Sequence, residues 1–411
     1  MVNSISILLK NIANIPLYFI ARMVPKDPRL WIFGSWFGYR YSDNPRFVYE
    51  YVNSHEPDIR AVWLSRDREI VVRLSTVGYE AYGIRTLKGF WLSCRASAVF
   101  LSCGQTDVNL VGGGGALKVQ LWHGIPLKKI KRDDDKSRYN RSGILFKVFR
   151  RVWFGIFPFE SEQWDLLVTS GTEMTSRMAS AFKGFMSKRG QVIELGNPRA
   201  DCILAPPDPN VIKPFSKPSP LERIVCYAPT FRGASSTLNL FESLDKQELK
   251  NFLNKWRALL LIKLHYYDQE RCKIDGFPPR VHFVSDKELD DINMLLPHLD
   301  VLITDYSSVF FDFLLLDRPM LFTPFDLDSY ITDERGLYEP YREAAPGPVC
   351  MNWDEALLEL DNIFQGNDAY HEQRKLQQQR FFTFVDRDNS RRVVHYVKER
   401  FSIIADKGDK E

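Results

Sequence analysis

Two doubly wound α/β lobes facing each other across a cleft are what this sequence predicts, and three observations lead there. Short, wholly apolar runs of the kind buried on both faces of a parallel sheet alternate with polar segments suited to helices. The alternation runs through residues 30–120 and restarts near residue 166. A chain of 411 residues has room for two or three domains with large cores.

The elements follow in order. The stretch from Ile5 to Met23 carries Leu8, Leu9, Ile12, Ile15, Phe19 and Ile20, interrupted by Lys10, Asn11, Asn14, Pro16 and Arg22. That is neither a spanning helix nor a signal peptide. It reads as an amphipathic helix within residues 1–28, lying on a membrane interface or packed on the first domain. The first lobe is expected over 29–160, with strands at Trp31–Phe33, Ala61–Leu64, Ala98–Leu101 and Val119–Trp122 and a helix at Pro45–His55. The second is expected over 161–365. Its strands are Leu166–Thr169, Ile224–Tyr227, Leu259–Leu264, Val281–Val284, Val301–Thr304 and Pro319–Phe322, with a helix at Thr172–Phe185. A proline-rich stretch over 205–220 reads as a loop inserted in that lobe. Residues 366–411 form charged C-terminal helices, folding back on the first lobe, and a tail.

Composition narrows the function. Apolar residues make up 45% and charged residues 26%, an ordinary globular balance, and a net charge of +3 is too small to imply nucleic acid. The six cysteines lack CxxC or histidine-ligand spacing, so they read as reduced, buried thiols and not as a zinc site. Asp133-Asp134-Asp135 sits in a basic loop and is not expected to hold a metal; no cofactor is demanded.

Four segments carry chemistry, all at strand ends, where doubly wound sheets bind ligands. In Leu121–Lys129 an apolar strand runs into His123-Gly124-Ile125-Pro126-Leu127. Gly124 lets backbone pass close to a ligand, and His123 is placed to take a proton from an alcohol; a structural histidine bonded to backbone is the alternative. In Cys226–Gly233 a strand ends in Pro229-Thr230-Phe231-Arg232, a hydroxyl and a guanidinium suited to phosphate, or a surface arginine after a turn. Lys263-Leu264-His265 puts a cation and an imidazole on one face, suited to a diphosphate. In Ile303–Asp312 a buried strand enters Asp305-Tyr306-Ser307-Ser308 and an apolar helix. Ser307 or Ser308 is expected to cap that helix, whose start suits a phosphate, with Asp312 one turn on near donor hydroxyls. Between Lys128 and Phe159, ten lysines and arginines interleave with bulky apolar residues. This stretch, 128–159, suits an anionic membrane surface, or a core helix with a solvated basic edge.

Together these segments resemble the CDP-glycerol glycerophosphotransferase family, the primases and polymerases of teichoic acids and related capsule polymers. The matching stretches are Trp122 to Pro126, Tyr227 to Arg232, Lys263 to His265, Thr304 to Asp312 and Arg335 to Pro348; Tyr41 to Pro45 is similar too. Ile125 and Phe231 depart from the family pattern, which has Thr and Trp there. The resemblance implies a glycosyltransferase-B-like fold of two Rossmann-type lobes and transfer of glycerol phosphate from CDP-glycerol to a hydroxyl of a lipid- or saccharide-linked acceptor. It implies CMP as the leaving product and peripheral attachment to the cytoplasmic membrane face. It implies His123 as general base, His265 and Arg232 on the diphosphate, and Ser307, Ser308 and Asp312 on the donor. Asn197 and Arg199, in Gly196–Asp201, match a donor-contacting stretch. Gly124, Ile125, Pro126, Leu127, Phe231, Lys263 and Leu264 complete the expected donor site. The rival readings are a ribitol-phosphate transferase using CDP-ribitol, a nucleotide-sugar transferase, and a non-catalytic membrane-binding scaffold. The chain's length favours a primase-like or capsule-linker enzyme over a polymerase with a large extra domain.

Overall fold

The structure, a computed structural model, describes residues 4–137, 144–215, 223–230, 240–264, 276–327, 330 and 336–408. They form two compact units. The first comprises Met1–His123, Lys131–Asp201 and Asp386–Glu411, and the second Gly124–Ile130 and Cys202–Val385.

The first unit is built on a seven-stranded sheet in the order β3-β2-β1-β4-β5-β6-β7. Its strands are β1 (Asp27–Phe33), β2 (Arg60–Ser65), β3 (Ala81–Gly83), β4 (Ala96–Leu101), β5 (Leu117–Gln120), β6 (Trp164–Thr169) and β7 (Met186–Glu194). Every pairing is parallel. This is the doubly wound strand order, with its switch point between β1 and β4. All six residues of β4 are buried, as befits a strand covered on both faces. The expected boundary at 160/161 is corrected by β6. It pairs with β5, Val119 opposite Leu166 and Gln120 opposite Leu167, so the renewed apolar rhythm near 166 continues the first sheet. The C-terminal helix Asn389–Gly408 also returns to this unit: Val393, Val394 and Val397 pack in one core with Val48 and Val52 of helix α2 (Asp43–His55).

Helix α1 (Ser4–Met23) and helix α3 (Ile144–Ile156) border a smaller core of Tyr18, Val111, Phe157 and Phe159. Each keeps an apolar stripe exposed: Leu9, Ile12, Ile20 and Met23 on α1, and Leu145, Val148, Phe149, Val152 and Ile156 on α3. The α3 positions follow the three- and four-residue spacing of one helix face. Among the described residues no helix is long and apolar enough to cross a membrane.

The second unit has a five-stranded sheet in the order β10-β9-β8-β11-β12. Its strands are β8 (Arg223–Ala228), β9 (Ala258–Ile262), β10 (Val281–Phe283), β11 (Val301–Thr304) and β12 (Met320–Phe322), again all parallel. The switch point falls between β8 and β11. Gly124–Ile130 joins this unit through backbone pairing with residues 336–338. Lys129 N–H donates to Gly336 O at 2.7 Å and Tyr338 N–H to Leu127 O at 3.1 Å. Leu127–Lys129 and Gly336–Tyr338, read separately in the sequence, are thus bridged to each other.

Candidate active site

His123 follows the carboxyl end of β5. Its Nδ1 lies 3.2 Å from Ser102 O, and a carbonyl only accepts, so Nδ1 carries the proton and Nε2 the lone pair. Its ring stacks on Trp122, centroids 4.3 Å apart, and leans on Trp36 at 5.4 Å. Burial pulls its pKa below the ordinary imidazole value, with Asp43 opposing.

The backbone around this ring is unusual. Trp36, Phe37, Asp43 and Trp122 all adopt left-handed conformations, with φ of 47°, 58°, 69° and 56°. Such residues cost roughly 1–3 kcal/mol each and persist only where their surroundings over-determine them. Asp107 supplies part of that constraint. Fully buried, it accepts backbone N–H groups from Phe37 (2.7 Å), Ser102 (2.8 Å), Cys103 (2.7 Å) and Gly104 (3.3 Å). It ties the loop after β1 to the loop after β4, and the latter carries the Ser102 carbonyl that orients His123. Burial pushes its carboxyl up to about 6, against those donors.

Arg199 forms the second constraint. Its Nη1 donates to His123 O at 2.7 Å and pairs with Asp43 Oδ1 at 3.0 Å, both side chains being buried. Asn44 completes the knot. It donates to Leu121 O and Trp122 O at 3.0 and 2.9 Å, and accepts Arg199 N–H at 3.0 Å. Removing one member of such a pair leaves an uncompensated buried charge, a loss of about 3–5 kcal/mol. Asn197 is buried beside it, and neither its amide oxygen nor its nitrogen has a hydrogen-bond partner among the described residues. Gly196 lets this stretch pass: its φ is +87°, and an added Cβ would lie 1.7 Å from Asn389 Oδ1.

In the second unit, Asp305 sits at the switch point. Its Oδ1 accepts Thr230 N–H at 2.8 Å, Thr230 Oγ1 at 2.6 Å and Tyr306 N–H at 2.5 Å, joining the loops after β8 and β11. Tyr306 stacks on Tyr330 at 3.8 Å and donates to Asp326. Ser307 and Ser308 are half-buried on the following turn, and Asp312 is buried in the helix Val309–Phe313. The expected cap does not form. Ser308 occupies the N-cap in the αR conformation (φ −65°, ψ −6°) and makes no side-chain cap bond, because a capping hydroxyl needs the extended geometry there. Lys263, expected on a diphosphate, pairs with Asp286 at 2.5 Å. Leu264 is buried, as are Gly124, Ile125, Pro126 and Leu127. Phe231, Arg232, His265 and Arg335 lie outside the described residues.

The sequence reading singled out His123 and Arg199, which the structure brings together, but not Asp107, Trp36 or the structural work of Asp305. Asp43 and Asn44 stood only in a stretch noted as similar. The bonds that tie separate loops together, Phe37 to Asp107, Asn44 to Leu121 and Arg199, and Thr230 to Asp305, join residues 70 or more positions apart, which no local pattern announces.

The family model for "CDP-Glycerol:Poly(glycerophosphate) glycerophosphotransferase" matches residues 16–399. A teichoic acid glycerol-phosphate transferase of Staphylococcus aureus is 30% identical over 400 residues, 95% of this chain and 98% of that one. A teichoic acid poly(glycerol phosphate) polymerase of Bacillus spizizenii is 29% identical, covering 92% of this chain and 94% of its own. A polymerase of nearly this span removes the length argument for a primase. The solved structure of the wall teichoic acid polymerase TagF aligns over 98% of this chain and 99% of its own, with a TM-score of 0.75 at 24% identity, which shows a shared glycosyltransferase-B-like fold.

Proposed function

We propose a base role for His123 on the premise that this chain belongs to the CDP-glycerol:poly(glycerophosphate) glycerophosphotransferase family. It is a transferase of glycerol phosphate from CDP-glycerol to an acceptor hydroxyl, in teichoic-acid-type polymer synthesis. The acceptor oxygen bonds to the glycerol-bearing phosphorus, the bond from that phosphorus to the bridging oxygen breaks, and CMP leaves with the electron pair. The acceptor proton goes to His123 Nε2. What supports this is the Nδ1 contact to Ser102 O, which leaves Nε2 as the basic nitrogen. Arg232 and His265 hold the diphosphate, and Asn197, Arg199, Lys263, Ser307, Ser308 and Asp312 serve the donor. For a reaction governed by positioning and charge, loss of the base costs roughly 10²–10⁴ in rate. His123→Ala, incubated with CDP-glycerol and a lipid-linked saccharide, therefore loses CMP release while keeping its melting temperature. Turnover like the parent's removes His123 from the mechanism. CDP-ribitol in the same assay tests the alternative donor.

We also place the protein peripherally on the cytoplasmic membrane face. The exposed stripes of α1 and α3, with Lys10, Arg22 and Arg151 exposed beside them, support this reading. Phe149→Ser with Val152→Ser is expected to weaken binding to phosphatidylglycerol vesicles about tenfold or more in co-sedimentation. Unchanged partitioning sinks the reading.

A further inference from the structure

The loop between β1 and α2 holds aromatic rings outward on a strained backbone. Three consecutive residues, Trp36, Phe37 and Gly38, are left-handed, with φ of 47°, 58° and 83°. Bulky residues seldom adopt that conformation, and it persists only where the surroundings impose it. Here both neighbours of β1 do so. After β4, Ser102 Oγ accepts Trp36 N–H at 3.2 Å and Asp107 Oδ1 accepts Phe37 N–H at 2.7 Å. At the end of β2, Ser65 Oγ and Arg66 N–H donate to Gly38 O at 2.8 and 2.6 Å, and Arg66 Nε donates to Phe37 O at 2.8 Å.

What this fixed backbone presents is apolar. Phe37 is 51% exposed and Tyr39 59%. Single apolar residues on a surface need no explanation, but two aromatic rings two positions apart, on a backbone strained and bonded at each turn, do. The reaction described above uses neither ring. Yet the loop touches the reacting centre, because the Trp36 ring leans on that of His123 at 5.4 Å. Phe37 and Tyr39 follow Trp36 by one and three residues, so at most about 11 Å of chain separates them from it.

Position and chemistry select the ligand. A molecule that presents its hydroxyl to His123 lies within reach of this loop. The donor's diphosphate calls for cations and N–H groups, not for exposed aromatic faces. A pyranose suits such faces: its C–H side packs on a flat ring while the hydroxyls at its rim stay hydrated, and the Tyr39 hydroxyl adds a polar contact. We propose that Phe37 and Tyr39 form an acceptor platform, on which a sugar ring of the saccharide acceptor stacks beside His123. The proposal rests on the base reading above, which brings the acceptor hydroxyl to His123.

The test is steady-state CMP release by the full chain, with CDP-glycerol and a water-soluble, short-chain lipid-linked saccharide. Phe37→Gly with Tyr39→Ser removes both rings, and glycine suits the left-handed position it takes. The acceptor KM is expected to rise about tenfold, with kcat and the CDP-glycerol KM within about twofold of the parent's. Tyr39→Phe, which keeps a flat ring, is expected to retain the parent's acceptor KM, and Tyr39→Leu, apolar but not flat, to raise it. Should the double variant fold poorly, this Tyr39 pair carries the test. An unchanged acceptor KM in the double variant, an equal rise in both KM values, or a fall in kcat alone overturns the platform. So does Tyr39→Leu matching Tyr39→Phe. Weakened binding to phosphatidylglycerol vesicles with an unchanged acceptor KM assigns the rings to the bilayer and overturns it as well. Parent-like CMP release by His123→Ala, with the acceptor KM still raised in the double variant, supports the platform and overturns the base reading instead.

Discussion

The base role proposed for His123 depends on what surrounds it. An isolated imidazole is half-protonated at about pH 6.5, and its two nitrogens exchange roles freely. Here one carbonyl selects the tautomer, and the rings of Trp36 and Trp122 pack against the imidazole. Burial is the larger influence on its pKa and it lowers it, so the neutral base persists at pH values where a free histidine would be charged. In the folded protein His123 binds fewer protons than in the unfolded chain between its depressed pKa and 6.5. Stability from this group is therefore present above 6.5 and lost as pH falls through the folded value. The acid limb of kcat/KM for CMP release is expected to have its midpoint below 6.5. A midpoint at 7 or above contradicts a desolvated, neutral base. Asp107 illustrates the other half of the residue scale. Four backbone donors converge on it and fix the loops that carry the Ser102 carbonyl and Trp36.

Elements differ in how clearly the sequence announces them. The central strands β1, β2, β4, β8 and β11 are runs of apolar residues because both their faces are covered, and they were legible for that reason. Edge strand β7, Met186–Glu194, was not: Lys188, Arg189 and Gln191 face solvent there, and its pattern is that of a loop. Missing β7, and reading β6 as a new beginning, moved the domain boundary about forty residues too early. The site was legible where glycine and proline mark a strand end, as at His123, and illegible where it depends on cross-chain carboxylates such as Asp107. Gly196 shows what such a marker costs to change. At φ +87° an alanine is strained, and its Cβ falls on Asn389, which must move while its Nδ2 bond to Asp201 Oδ1, 2.8 Å long, is disturbed. Gly196→Ala is expected to destabilise by roughly 2–4 kcal/mol in urea unfolding. A change under about 0.5 kcal/mol, the range of a neutral surface substitution, rules out this account.

At the scale of the whole molecule, the two units share one chain that passes between them four times, so neither is a contiguous segment. The last passage, at Asp386, returns the chain to the first unit, and the helix that follows is part of its core. Val393, Val394 and Val397 are fully buried there. Three such side chains represent about 5–9 kcal/mol of burial. The polar contacts add to this: Asp201 accepts Asn389 N–H and Ser390 N–H at 2.8 Å each, and Lys398 pairs with Glu56 at 2.6 Å. The sum is comparable with the entire stability of an ordinary domain, about 5–15 kcal/mol. A chain ending at Val385 is therefore expected to lose the first unit. Trp31 and Trp63, buried in that core, then become exposed to solvent and their fluorescence shifts to the red, although every residue of the His123 site is retained. The second unit, whose core of Tyr227, Leu260, Ile303 and Trp353 involves no residue after Val385, is expected to keep its own cooperative melting transition in calorimetry. Two transitions in the shortened chain, both at the parent's temperatures, are incompatible with the C-terminal helix as a core element. Activity of the parent chain is expected to vanish at whichever of the two transitions comes first, because His123 lies in the first unit and the proposed donor residues Lys263, Ser307, Ser308 and Asp312 lie in the second.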